Sequence, residues 1–212
     1  MRALLAIVLT LALPTAAPAA LSQLPRDAGE AMTLFESDPD SWRDGPVEYL
    51  ILEDERDLWK ELDTTDQRAA FITRFWDRRD IDLREEGNPF KEAFYERVAY
   101  SNRRFRDTRF RGWRSDRGRI AVTLGVPDGE RSIRAGTALI WTYLTIGNHA
   151  EEKGFSSASG RVEILFQQDE LRPNNYEIAG SLGAGVYPAY VLRALEYSRH
   201  AAVGESPNRP VS

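Results

Sequence analysis

Apolar positions in the first half of the chain recur at helical spacing, and those in the second half mostly alternate. Leu58, Trp59 and Leu62 predict a short helix over residues 53–62. Thr64-Thr65-Asp66-Gln67 has the form of a capping box, with Thr64 as N-cap and Gln67 at N3, so a second helix is expected over 65–79. It places Ala69, Ile72, Phe75 and Trp76 on one face and Arg68, Asp77 and Arg78 on the other. Asn88-Pro89 reads as N-cap and N1 of the next helix, which runs to about Arg106 with Phe90, Phe94, Val98 and Phe105 in a stripe.

Ile120, Val122 and Leu124 then alternate with Arg119, Ala121 and Thr123, which predicts a half-buried strand ending in a turn at Gly125 and Pro127-Asp128-Gly129. Residues 139–146, 162–167 and 176–179 predict three more strands. Residues 147–160 read as a loop rich in Gly and Ser, and 169–175 as a turn. No helical pattern separates the strands, so an antiparallel sheet of about four strands is expected. Pro188 opens a last helix to about Ala202, with Val191, Leu192, Leu195 and Ser198 along one side. Residues 20–46 read as a linker or an arm laid over the domain, with Met32 and Phe35 facing inward if 28–35 is helical. Residues 47–52 are read as either extended or the opening of a helix. The pattern as a whole predicts one α+β domain over 47–180, helices first and a small antiparallel sheet after them. A C-terminal helix region follows over 181–203 and a disordered tail over 204–212.

The N-terminus changes the setting of this domain. Arg2 precedes a nearly unbroken apolar run from Ala3 to Leu13, shorter than the about 20 residues that span a bilayer. Pro14 ends the run, and Ala17-Pro18-Ala19 fits a small-x-small cleavage pattern. The expectation is a secretory signal peptide over 1–19, cut after Ala19, with a retained anchor as the alternative. After processing no stable membrane span is expected. The chain has no cysteine, which removes disulfides, thiol nucleophiles and thiolate metal sites and fits a periplasmic or secreted protein that relies on its core. The net charge of −5 gives no nucleic-acid signal.

Helices and strands meet at Gly112-Trp113-Arg114-Ser115-Asp116-Arg117-Gly118-Arg119. Two glycines bracket a polar segment whose Ser115 and Asp116 suit turn hydrogen bonding, and Trp113 brings an apolar body that needs a pocket. These residues, followed by Gly125-Val126-Pro127-Asp128, resemble the GWxTD-domain proteins of bacteria. Ser115 stands where that family has Thr. Phe75-Trp76-Asp77-Arg78-Arg79-Asp80 is similar to a second motif of the family, and Trp141-Thr142-Tyr143 to a third. The resemblance covers roughly residues 47–179. It implies an extracytoplasmic α+β domain and carries no established activity.

Candidate chemistry lies around these motifs. Arg103, Arg104, Arg106, Arg109, Arg111, Arg114, Arg117 and Arg119 are read either as an anion site, since guanidinium grips carboxylates and phosphates bidentately, or as ion pairs on a solvated face. Asp116 with Asp80 or Asp77 offers a carboxylate pair for metal-independent hydrolysis of an envelope polymer; the alternative is turn capping and pairing with arginine. Trp76, Trp113 and Trp141 are either a sugar platform or core. His149 and His200 have no partner at ligand spacing, and no G-x-S-x-G motif is present, so no cofactor, metal or nucleophilic serine is assigned. The residues set apart, as structural or binding positions, are Phe75, Trp76, Arg79, Asp80, Gly112, Trp113, Ser115, Asp116, Arg117, Gly118, Arg119, Gly125, Pro127, Trp141 and Tyr143. Asp116 or Asp80 is expected to accept a bond from Arg79 or Arg117 of the other motif. A non-catalytic interaction module for an envelope or extracellular protein or glycan is the leading expectation, and the hydrolase is the alternative.

Overall fold

The computed structural model describes residues 24–80, 82–84, 86–105, 112–146, 158–181 and 186–205. The signal-like segment and its cleavage site, Arg106, Arg109, Arg111, His149 and most of the tail fall outside these residues.

Helix α1 (Ala28–Glu36) starts at Asp27, whose carboxylate accepts the Glu30 N–H at 2.8 Å. It packs on α4, buries Ala31 and turns Met32 and Phe35 toward the core. Two 3-10 turns follow, Trp42–Asp44 and Pro46–Tyr49. Trp42 is only 1% exposed and lies against Trp59, Phe71, Phe75 and Trp76. Over its described part, the segment read as a linker or arm is therefore an arm that supplies core.

Helix α2 (Glu53–Lys60) and helix α3 (Thr65–Asp77) come next. The capping box forms at α3: Gln67 N donates to Thr64 Oγ1 at 3.2 Å and Thr64 N donates to Gln67 Oε1 at 3.0 Å. Phe71, Ile72, Phe75 and Trp76 are buried, and Ala69, expected on that face, is exposed. Helix α4 (Pro89–Arg104) buries Phe90, Phe94, Tyr95, Val98 and Ala99, and Phe105 is its C-cap.

The strand expected over Ile120–Leu124 is instead a helix, α5 (Asp116–Leu124). Ser115 caps its N-terminus by accepting from Gly118 N, and Gly125 ends it at φ 96°. The alternation of side chains misled because both sides of α5 are covered. Val122 joins the helical core, while Ile120 and Ala121 join a second core under the sheet. A fully covered helix has no polar stripe to reveal its period.

The sheet still has four antiparallel strands, in the order β1 (Gly129–Ile133), β2 (Ala138–Ile146), β3 (Ala158–Asp169) and β4 (Arg172–Ile178). Strand β1 begins at the glycine expected in a turn. Its Glu130-Arg131-Ser132 shows no apolar alternation, which suits an edge strand. Register sets Trp141 opposite Ile164 and Leu139 opposite Phe166, and all four are buried in the second core with Tyr143 and Ile178. Helix α6 (Ala189–Ala201) closes that core with Val191, Ala194 and Leu195. Leu192, expected on the inward side, is 44% exposed.

Candidate functional site

The Gly-Trp segment is a 3-10 turn, Gly112–Arg114, locked against the start of α5. Gly112 has φ +60°, and a Cβ there would meet Asn102 Oδ1 at 2.0 Å. That oxygen accepts the Trp113 N–H at 3.2 Å, and the Asn102 amide donates to the Pro25 carbonyl at 2.9 Å. Ser115 Oγ donates to the Gly112 carbonyl at 2.8 Å while accepting Gly118 N–H at 3.0 Å. A hydroxyl is needed for both bonds, which is why Ser serves where Thr is the family residue. Trp113 is buried against Phe35 and Tyr49, with the Arg114 guanidinium 4.8 Å from its ring centroid.

Asp116 opens α5 and reaches the sheet. Its Oδ2 accepts the Ile178 N–H of edge strand β4 at 2.9 Å, and its Oδ1 accepts the Tyr187 hydroxyl at 2.7 Å. Asp128 works in the same way, accepting the Leu144 N–H at 2.7 Å. Gly125 offers its carbonyl to the Tyr143 hydroxyl at 3.0 Å, and half-buried Pro127 sits between these two anchors. Trp141 donates its indole N–H to Glu130 at 2.7 Å.

The other polar motif closes on a different partner. Arg79 is fully buried, and its Nη1 and Nη2 grip Glu55 Oε1 and Oε2 at 2.7 and 2.8 Å. It also donates to the carbonyls of Phe75 and Leu50 and stacks 3.6 Å from the Phe75 ring centroid. Burial pulls its guanidinium below the ordinary arginine value, against the opposing effect of Glu55. Arg78 reaches Glu55, Asp54 and Glu205. Asp80 accepts the Asp82 N–H at 3.2 Å, and Asp77 is exposed.

The expected pair between the two motifs is therefore absent. Asp116 is held by a backbone amide and a phenol, Arg79 by Glu55. Arg117 lies between Phe105 and Tyr176, at 4.8 and 4.6 Å from the ring centroids, and donates to the Asn174 carbonyl at 3.2 Å. Trp76, Trp113 and Trp141 are 4%, 2% and 1% exposed, so none presents a ring for a sugar to stack on.

Of the arginines expected to form one patch, the described ones are dispersed. Arg103 pairs with Glu96, and Arg104 lies 3.8 Å from Glu130. Among those described, Arg119 alone opens onto the cleft of about 450 Å³ between α2, α5 and α6. Arg56, Arg119 and Arg199 bring guanidiniums to it, and Tyr49 and Tyr187 bring hydroxyls. The Arg119 guanidinium sits 4.4 Å from the Tyr49 ring centroid and 5.6 Å from that of Tyr187. Burial holds Arg199 below its ordinary pKa. Glu196 opposes that shift, and the charges of Arg56 and Arg119 add to it. Burial likewise raises the Tyr187 phenol, and the carboxylate of Asp116 adds to the effect. Arg56, Arg199 and Tyr187 carried no sequence signal, because only the folded chain brings α2 and α6 beside the motif.

Among the described residues, no group of three or more His, Asp or Glu gathers as a metal site, and no helix is long and apolar enough to cross a membrane. An α+β domain with a meander sheet, pinned to its helices by a Gly-Trp turn and a following aspartate, is the class these features define. The model of the GWxTD domain matches residues 44–179, and the chain belongs to that family. No curated protein and no solved structure matches it.

Proposed function

We propose that the chain is an exported, non-catalytic interaction module of the bacterial envelope or extracellular space, taking a protein or glycan partner through the cleft between α2, α5 and α6. The observation that carries this reading is the state of Asp116. Each of its oxygens accepts from a structural donor, at 2.9 and 2.7 Å, so its place is accounted for by holding α5 to strand β4 and to Tyr187. Asp77 and Asp80 do not line the cleft. The cleft instead offers an array of donors, which suits holding a ligand rather than cleaving one. Export rests on the signal-like segment 1–19 and the absence of cysteine.

The test uses protein recovered from the producing cell, whose intact mass is expected to correspond to a chain starting at Ala20. Mixed with isolated cell envelopes, it is expected to co-sediment with them and release no soluble fragments. Fragment release that Asp116→Asn abolishes would establish the hydrolase instead. Failure to co-sediment would remove the interaction reading.

A further inference from the structure

We propose that the cleft binds a phosphate monoester through Arg56, Arg119 and Arg199. This rests on the reading of the chain as a binding module and adds the chemistry of what it binds. The three cations come from three separate elements, α2, α5 and α6. Among the described residues none of them lies within 4.0 Å of a carboxylate, whereas the other cations of the cleft, Arg43 and Lys60, have Asp44 and Asp57 at 4.0 and 2.7 Å. Like charges gathered in a partly covered cleft repel one another, and an anion relieves that repulsion.

The shape of the array selects the anion. A planar carboxylate presents two oxygens in one plane and is satisfied by the fork of a single guanidinium. A phosphoryl group presents oxygens in several directions and suits guanidiniums converging from three elements. Charge agrees in sign, since the three guanidiniums outnumber the carboxylates that act on them, Glu48 on Arg119 and Glu196 on Arg199, and leave a positive excess for an anion to balance. Thr123 lines the same cleft, and its hydroxyl is buried with no hydrogen-bond partner among the described residues.

The site is also pre-shaped. Arg119 rests against the Tyr49 and Tyr187 rings, and Tyr187 is held by its bond to Asp116. Asp116 is thus a positioning residue for Arg119, acting through Tyr187. The second arginine-bearing cleft lacks this vacancy, because Glu130 already stands beside Arg104 there and accepts from Trp141.

Titration calorimetry of the full chain at constant ionic strength, with inorganic phosphate, glucose 1-phosphate and acetate as probes, tests the proposal. Phosphate or glucose 1-phosphate is expected to bind saturably and acetate not at all. Arg199→Gln is expected to weaken binding by about ten-fold or more. Arg56→Gln, at an exposed position, is expected to weaken it in the same direction with an unchanged melting temperature. A phosphate monoester fixed in a membrane is tested with phosphatidylcholine vesicles containing phosphatidate. Binding there but not to glucose 1-phosphate assigns the group to a lipid headgroup, and binding to glucose 1-phosphate to a soluble phosphosugar. Absence of binding to every phosphoryl probe, equal binding of acetate, or full affinity in Arg56→Gln and Arg199→Gln overturns the proposal. If the chain still co-sediments with envelopes in that case, the ligand class is wrong and the interaction reading stands.

Discussion

Gly118 has a hydrogen where any other residue would place a methyl group 2.1 Å from the Gly112 carbonyl oxygen. The obstruction is backbone, so no side-chain rotation relieves it. Gly118→Ala, which in an open helix would gain up to about 1 kcal/mol, is expected here to cost about 1–3 kcal/mol in urea denaturation, as overpacked sites do. A gain in stability would mean that the turn and α5 are not in contact. Arg79 shows the same dependence on a single partner. Glu55→Gln leaves its buried charge without a counterion, and a loss of about 3–5 kcal/mol is expected. A loss well under ~1 kcal/mol, typical of solvated pairs, would show that water reaches the guanidinium. The sequence marked Arg79 as special and named the wrong carboxylate, because Glu55 stands 24 positions upstream on another helix. No local spacing encodes that pairing.

The elements that were legible are those with one wet face. Helices α3 and α4 announced themselves by a capping box and by Asn-Pro, and their apolar stripes matched the faces they bury, apart from a rotation at Ala69. Helix α5 reads as a strand although its punctuation is visible: Ser115 before it and Gly125 after it are helix caps. The alternation of Ile120, Val122 and Leu124 masks those caps, and strand β1 is invisible for the converse reason, since its Glu130-Arg131-Ser132 has no apolar side chains to alternate. The sequence marks the motif residues but not their partners Ile178, Tyr187 and Asn102, since each lies far along the chain or inside another pattern. Asp116 tests the join between α5 and the sheet. Asp116→Ala leaves the Ile178 amide and the Tyr187 hydroxyl without their acceptor, and each buried unpaired donor costs about 1–3 kcal/mol. Thermal denaturation is expected to show a clear loss, with Tyr187→Phe recovering none of the Ile178 share. An unchanged melting temperature in Asp116→Ala would mean that α5 is held on the sheet by apolar contact alone.

Across the whole molecule, burial of polar rings ties stability to pH. Tyr49, Tyr95, Tyr143 and Tyr187 all have phenols raised above the usual value, burial being the first cause in each. The folded chain keeps these protons more tightly than the unfolded chain does. Stability from these groups is therefore complete below the unfolded phenol value of about 10 and is lost as pH rises from there through the folded values. Chemical denaturation at a series of alkaline pH values is expected to show that decline, with phenolate absorbance from these four rings appearing together with unfolding. Appearance of all phenolate near pH ~10 in the still-folded protein would show that the rings are open to solvent. The two cores add a constraint of another kind. Domains built on two separate cores commonly come apart in two stages. Here the nine residues of α5 belong to both, with Val122 in one and Ile120 and Ala121 in the other. Neither half of the chain is a complete object: the helices without the sheet leave Ile120 bare, and the sheet without α5 keeps only part of its cover, from α6. Heat should therefore melt the molecule in one calorimetric step, and the amide protons of α5 should be among the last to exchange with deuterium.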